Sequence, residues 1–242
     1  MKMRTFAIRN SKEILRDPLN LAFGLGFPMV LILLLSAIQA NIPVSMFEIA
    51  HLTPGITVFG LSFMSLFTAT IIAKDRGSSL LQRLYTTPMT SLDFILGYTL
   101  PVIPISLAQG LICYLAAIAL GLPVTAHIIY AVLLLIPIAL LYIGLGLLCG
   151  SILTDKQTGG ICGALLTNVS AWLSGIWFDL ELVGDTFRKI AYALPFVHAV
   201  EMERSVLAGN FAGIFPHLWW VLGYAAALLA TAVFLFLRQM KE

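Results

Sequence analysis

The 242 residues are 60% hydrophobic and 11% charged, with a mean hydropathy of +0.96, whereas soluble domains carry about 25% charged residues. That excludes a soluble globular chain, and a net charge of +2, spread along the chain, excludes the basic patch of a nucleic-acid binder. Cys113, Cys149 and Cys162 lie in apolar stretches without CxxC spacing, so free thiols are expected.

Residues 1–17 read as an amphipathic helix on the membrane surface. At 100° per residue Met3, Phe6, Ala7, Ile8, Ile14 and Leu15 share an apolar arc, while Lys2, Arg9, Lys12 and Arg16 gather opposite, with Arg4 the exception. Pro18 ends it. A cleavable signal peptide is the competing reading, opposed by the length of the next apolar segment and the lack of an A-x-A site.

Six apolar spans follow, at 19–39, 53–73, 92–120, 127–153, 158–178 and 217–237. Each is close to or above the ~20 residues that a hydrocarbon layer of about 30 Å requires. Pro28 with Gly24 and Gly26 should bend or thin the first span, and Pro101 and Pro104 should interrupt the third. Asn41 to His51 is a short polar connection, Gly121 to Pro123 a turn, and Thr154 to Gln157 a tight charged loop. The last span opens with Trp219 and Trp220 at interface depth and closes on Arg238. Gly146 with Gly150, and Gly159 with Gly163, have GxxxG spacing, which suits close helix packing within one subunit or between two. The predicted fold is an all-α integral membrane protein of six transmembrane helices in one domain, 1–242.

Orientation follows from the basic residues. Lys2, Arg4, Arg9, Lys12, Arg16, Lys74, Arg76, Arg83, Lys156, Arg238 and Lys241 fall on one side; Arg188, Lys189 and Arg204 fall on the other. The positive-inside rule makes the first side cytoplasmic, with both termini.

Two regions break the apolar pattern. In the cytoplasmic stretch 73–98, Ser79 and Gln82 form a capping-box pattern that should start a helix of two turns or slightly more. Leu80, Leu81, Leu84 and Tyr85 share one face, Gln82 and Arg83 the other, and Pro88 stops the helix. Thr90 with Asp93 caps the next helix. In the outer stretch 179–216, residues 187–194 are a helical run stopped by Pro195, and 197–207 are another that carries Glu201, Glu203 and Arg204. Each is too short to cross, so two short helices over the bundle's outer mouth are expected, with an amphipathic surface loop as the alternative.

No chemistry of the chain's own is apparent. A P-loop needs GxxxxGK[ST], and no Gly-Lys pair occurs. All twelve acidic residues fall at ends or loops, which leaves no intramembrane proton relay. Thr167, Asn168 and Ser170 suit either sodium coordination or hydrogen bonds between helices. His51, His127, His198 and His217 lack i, i+3 or i, i+4 spacing, so no metal site is expected. Neither GxSxG nor HExxH occurs, and no catalytic residue is assigned.

Three stretches carry a family resemblance. DRGSSLLQRLYTTPMTSLDFILGY, from Asp75 to Tyr98, resembles a charged residue, Gly-Ser/Thr, a Leu-rich basic helix, Thr-Pro and a Gly after the next cap. LSGIWFDLELVGDTFRKIAYALPFVHAVEMERSVLAGNF, from Leu173 to Phe211, resembles Ser-Gly, an aromatic residue, helix, Pro, then a helix with an acidic residue and Arg. With the amino-terminal amphipathic helix, they make the chain similar to permease subunits of the ABC-2 type transporter family. Asp179 stands where many relatives have proline, and the helix after Gly77 is about two residues longer than its commonest form.

The resemblance implies a multi-pass protein of a bacterial or archaeal plasma or inner membrane. Two permease copies, identical or related, would join two separately encoded ATPase subunits, which hold the ATP and Mg²⁺; this chain would bind no cofactor. Closure of the ATPase pair would push on Asp75, Gly77, Ser79, Leu80, Leu81, Gln82, Arg83, Leu84, Tyr85 and Pro88, and on the amino-terminal helix with Arg9 and Lys12. The apolar face of the helix at 79–86 would enter a groove of that partner, or else lie on lipid headgroups. Phe187, Pro195, Glu201 and Arg204 would mark the outer helices. The spans lack charged lining, which favours a lipid-like or amphipathic cargo over a small ion. The second reading is a membrane sensor or immunity module that binds a ligand at those outer helices without transport.

Overall fold

The computed structural model describes residues 2–43 and 47–239; Lys241, counted above, lies outside them. Helix α1 is Lys2–Leu15. The Asp17 carboxylate then accepts from Asn20 N at 3.2 Å and Pro18 takes the first helical position, so the proline that ends α1 also starts α2, Pro18–Gln39. The Gly24 and Gly26 region does not simply thin α2. It forms a widened i→i+5 turn, Ala22–Gly26, that sets Gly24 against the Phe67 ring with no room for a Cβ.

Helix α3, Ile49–Gly77, is the central pillar. In its most apolar stretch 94% of residues are buried, against 17% in α2. It begins and ends beyond the expected 53–73, contains Pro54, and is interrupted at Ser62, whose hydroxyl donates to Phe59 O at 2.6 Å. Helix α4 is the short Leu80–Tyr85.

Helix α5, Ser91–Ala119, starts with both bonds of the expected Thr90–Asp93 capping box. It runs unbroken through Pro101 and Pro104, contrary to the expected interruption. One reason is local: Pro101 has no N–H for the carbonyl of Gly97, and the buried Asn10 amide of α1 donates to that oxygen instead, at 3.0 Å. The sequence pattern placed Asn10 on no particular face; its burial is explained by that orphaned carbonyl.

Helix α6 is His127–Ile152. The next segment, α7, is helical over residues 155–172 as Asp155–Thr158, a widened Gly159–Leu166 and Thr167–Trp172. It ends short of the expected 178, because the chain turns at Gly175 with φ of +68°. Five described helices, α2, α3, α5, α6 and the final α10, Phe211–Gln239, are long and apolar enough to cross a membrane; α7 is not among them. Helix α10 begins six residues before the expected 217 and carries Pro216 inside it.

Between them lie a short turn at Leu180–Leu182, α8 at Asp185–Ala193 and α9 at Pro195–Leu207. Helix α9 is not a lid laid over the mouth. Pro195 to Val200, Met202, Glu203 and Val206 are buried where it wedges against α3, α6 and α10. Glu203 corrects the expectation that every carboxylate sits at an end or loop: it is fully buried, accepting from Tyr114 Oη of α5 at 2.8 Å.

Gly146 and Gly150 on α6 face the backbone of α3. A Cβ there would lie 2.5 Å from Ser65 O or 2.8 Å from Ala69 O, so this GxxxG pair serves packing within the chain. Gly159 meets nothing within 4 Å and Gly163 faces only the Leu66 side chain. Thr167, Asn168 and Ser170 donate mainly to carbonyls of their own segment, Cys162 O, Ala164 O and Thr167 O, rather than across helices; Ser170 also meets Tyr142. All three cysteines are free.

Candidate coupling site

The last turn of α3 holds three consecutive charged residues, and each one reaches a different neighbour. Lys74 faces Asp17, at the joint of α1 and α2, at 3.8 Å. Asp75, 2% exposed, accepts from Arg9 Nη1 of α1 at 2.5 Å and from Tyr98 Oη of α5 at 2.9 Å. Arg76 donates to the carbonyls of Ser151 and Leu153, at the end of α6 where the last carbonyls have no following helical N–H to meet them. Burial works against the Arg9 charge, and the bond and charge of Asp75 more than offset it, so the guanidinium is held above its usual value.

An aromatic cluster seats the same elements. Phe6 of α1 meets Phe94 and Tyr98 edge-on at 5.8 and 4.9 Å, Tyr85 of α4 meets Phe94 at 5.4 Å, and Phe94 stacks on Phe236 of α10 at 6.3 Å. A Cβ on Gly97 would strike the Phe6 ring, so glycine there lets α1 approach α5. The result is one connected assembly of α1, α4 and the ends of α3, α5, α6 and α10.

Helix α4 corrects the local expectation twice. It starts at Leu80, but the Ser79 hydroxyl makes no cap bond and the helix has six residues, under two turns. Ser79 is left-handed, φ of +58°, because the chain must reverse as it leaves α3; that backbone does not aim its side chain at the free N–H groups. The apolar face is the expected one and it is turned inward. Leu81 is buried, while Leu84 and Tyr85 pack partly against the chain's own core. Gln82 and Arg83 are exposed, as is Lys12 on α1. What remains open on the apolar side is a cleft of about 640 Å³ between α1 and α4, walled by Phe6, Arg9, Leu80, Leu84, Pro88 and Met89. Gly77 ends α3 in open space and carries no positive φ, so neither crowding nor backbone demands it.

Residues 1–208 match the ABC-2 type transporter family. The chain belongs to the ABC-2 type transporter family. A more distant likeness, 26% identical over 117 residues, is to the capsule polysaccharide export inner-membrane protein CtrC of Neisseria meningitidis serogroup A. It covers 48% of this chain and 44% of that protein, so the chain spans less than half the length of the curated relative. Family and apolar helices together make this chain a multi-pass membrane component of a transporter, not itself the ATPase.

The other positions marked in this ABC-2 chain lie at the far end of α3. Phe187 of α8 packs on Phe178 with centroids 6.3 Å apart, and Pro195 opens α9. Glu201 and Arg204 pair at 2.9 Å, and Arg204 Nη2 also donates to Gly175 O at 3.2 Å. Sequence spacing missed a pair of histidines there. His198 Nδ1 and His217 Nδ1 are 2.8 Å apart, and His198 Nε2 lies 3.0 Å from Tyr192 O. A carbonyl accepts only, so neutral His198 carries its proton on Nε2 and its Nδ1 accepts from His217 Nδ1–H. Burial lowers His198 from its ordinary value, and burial raises Glu203 to about 8, with the Tyr114 bond opposing. No periodicity links residues on two helices 19 positions apart. Among the described residues no three His, Cys, Asp or Glu side chains are grouped to hold a metal.

Sequence reading used Lys74 and Arg76 for orientation alone, took Tyr98 only as the end of a family-like stretch, and passed over Asn10. The available signal was the run Lys74-Asp75-Arg76 itself, three charges in a chain that is 11% charged.

Proposed function

We propose that the chain is the membrane-spanning permease subunit of an ATP-driven exporter, powered by two separate ATPase subunits that bind the ATP and Mg²⁺. Two copies, or this chain and a related one, form the path. Each contributes six crossings, with α7 as the fifth, and keeps both termini in the cytoplasm of a bacterial or archaeal cell. The family supports a transporter subunit, and the eleven-to-three division of basic residues supports the orientation.

The observation that carries the coupling role is the tying of Lys74, Asp75 and Arg76 to three neighbouring elements at the base of α4. A push on α4 or α1 would reach α3, α5 and α6 together, because the bonds of buried Asp75, those of Arg76 and the aromatic contacts leave little slack. The partner would meet Gln82 and Arg83 and the cleft beside Leu80 and Pro88, not the buried Leu81. The relative's printed role, capsule polysaccharide export in an inner membrane, supports export.

The decisive experiment is affinity isolation from the native membrane with mass spectrometry of partners, followed by reconstitution. A P-loop ATPase is expected in the complex, and Arg83→Glu with Leu80→Asp is expected to leave ATP hydrolysis running while transport stops. Normal transport in that variant would sink the coupling role. A sensor that binds a ligand at the outer helices without moving it remains the second reading, favoured by the cavity beside Arg204. It predicts ligand binding with no ATP-dependent uptake into inverted vesicles.

A further inference from the structure

At the end of α3 opposite the charged triplet lies a second cavity, of about 750 Å³, enclosed by the start of α3, the turn after α7, α8 and α9. Its volume falls in the range of sites for drug-sized ligands, roughly 300–1,000 Å³. Four carboxylates line it, Glu48, Asp179, Glu181 and Glu201, against two guanidiniums, Arg188 and Arg204. Both arginines are already committed, Arg188 to Glu181 at 3.1 Å and Arg204 to Glu201 at 2.9 Å. The cavity therefore has two negative charges in excess, from Glu48 and Asp179.

Its apolar wall is aromatic. Trp177, Phe178 and Tyr192 line it, with Tyr192 44% exposed; Trp177 is held in place edge-on by Phe59 at 5.8 Å. Aromatic faces beside uncompensated carboxylates attract cations with an organic body. A polyanion is disfavoured by the same excess, and a bare metal ion lacks a ligand cluster among the described residues.

We propose that this cavity binds a drug-sized organic cation with an aromatic or apolar body, and that such cations are the class of cargo released there. The cargo role rests on the exporter reading and its orientation; the binding does not. Purified full-length protein in an uncharged maltoside detergent, at about pH 8 to keep histidine neutral, is titrated with rhodamine 6G, a cationic dye, and with fluorescein, an anionic dye on the same ring system. Fluorescence anisotropy should show the cation binding about tenfold or more tightly than the anion, weakened by salt. Glu48→Gln with Asp179→Asn should weaken rhodamine binding by about tenfold; asparagine keeps the oxygen with which Asp179 caps Glu181 N. Glu13→Gln with Asp155→Asn, which removes two exposed carboxylates outside the cavity, should stay within about threefold.

Equal binding of the two dyes by the wild type overturns the site without any variant having to fold, and so does undiminished binding by the Glu48–Asp179 variant. Dye binding without transport by the reconstituted complex would sink the exporter reading and leave the site standing. Transport without dye binding would do the reverse.

Discussion

The two ends of α3 handle charge in opposite ways. At one end Lys74, Asp75 and Arg76 each meet a partner, and Asp75 is almost fully buried between Arg9 and Tyr98. At the other, four carboxylates face two arginines around an open cavity. A closed set of charges holds helices in fixed relation and has little left to offer a ligand. An unbalanced set does less to hold the fold and leaves a field that a ligand can answer. One helix thus joins an end whose charges are all answered to an end whose charges are not.

That contrast is most exposed to Asp75→Ala. Removing the shared acceptor strands a partly buried guanidinium and a buried phenol, and should cost about 3 kcal/mol. Thermal unfolding in detergent should fall by roughly 6–10 °C, while Glu48→Gln at the far end moves it little; equal shifts would erase the difference between the ends. Gly146→Ala is expected next, at about 1–3 kcal/mol, because its Cβ would press on the Ser65 backbone and part α3 from α6.

Glu203 gives a smaller, pH-dependent effect. Its folded value of about 8 lies above its ordinary 4.5, so the folded state holds more protons between those values. Its contribution is full below about pH 4.5 and declines as pH rises toward 8, by at most about 1.4 kcal/mol per unit. Lowered His198 acts with the opposite sign: its contribution is present above its ordinary value of 6.5 and is lost on acidification. Melting temperatures at a series of pH values should show Glu203→Gln flattening the decline between about pH 5 and 8; an unchanged slope would remove Glu203 as its source. Smallest of all, Arg83→Glu should shift stability by less than about 0.5 kcal/mol, since the side chain is exposed. Its effect should appear in coupled transport, and a large loss of stability would mean that α4 leans on its own chain at Arg83 too.

The sequence revealed elements wherever a local rule set them. The start of α5 was legible to within one residue because Thr90 and Asp93 cap each other across three positions. The inward face of α4 was legible from Leu80, Leu81, Leu84 and Tyr85, but not whether a partner or the chain itself would cover it. The Ser79 cap misled because the same residues also suit a tight reversal, and the need to turn back after α3 won. The pairs Arg9–Asp75, Tyr114–Glu203 and His198–His217 were invisible, since each joins residues distant in sequence and rests on how whole helices pack. The unbroken course of α5 past Pro101 belongs with them: the carbonyl freed by the proline is met by Asn10, 87 residues away.

The contact of Gly146 and Gly150 with Ser65 and Ala69 makes α3 a lever. The helix is about 43 Å long, and its backbone is gripped closest at a fulcrum nearer the charged triplet than the cavity. From Ser65 the arm toward Gly77 is about 18 Å and the arm toward Ile49 about 24 Å. The break at Ser62, three residues beyond the fulcrum, places an elbow at the root of the longer arm. A displacement delivered at Asp75, about 15 Å from Ser65, would be either enlarged by about 1.6-fold or spent in bending at Ser62, and the stiffness of that one turn decides which.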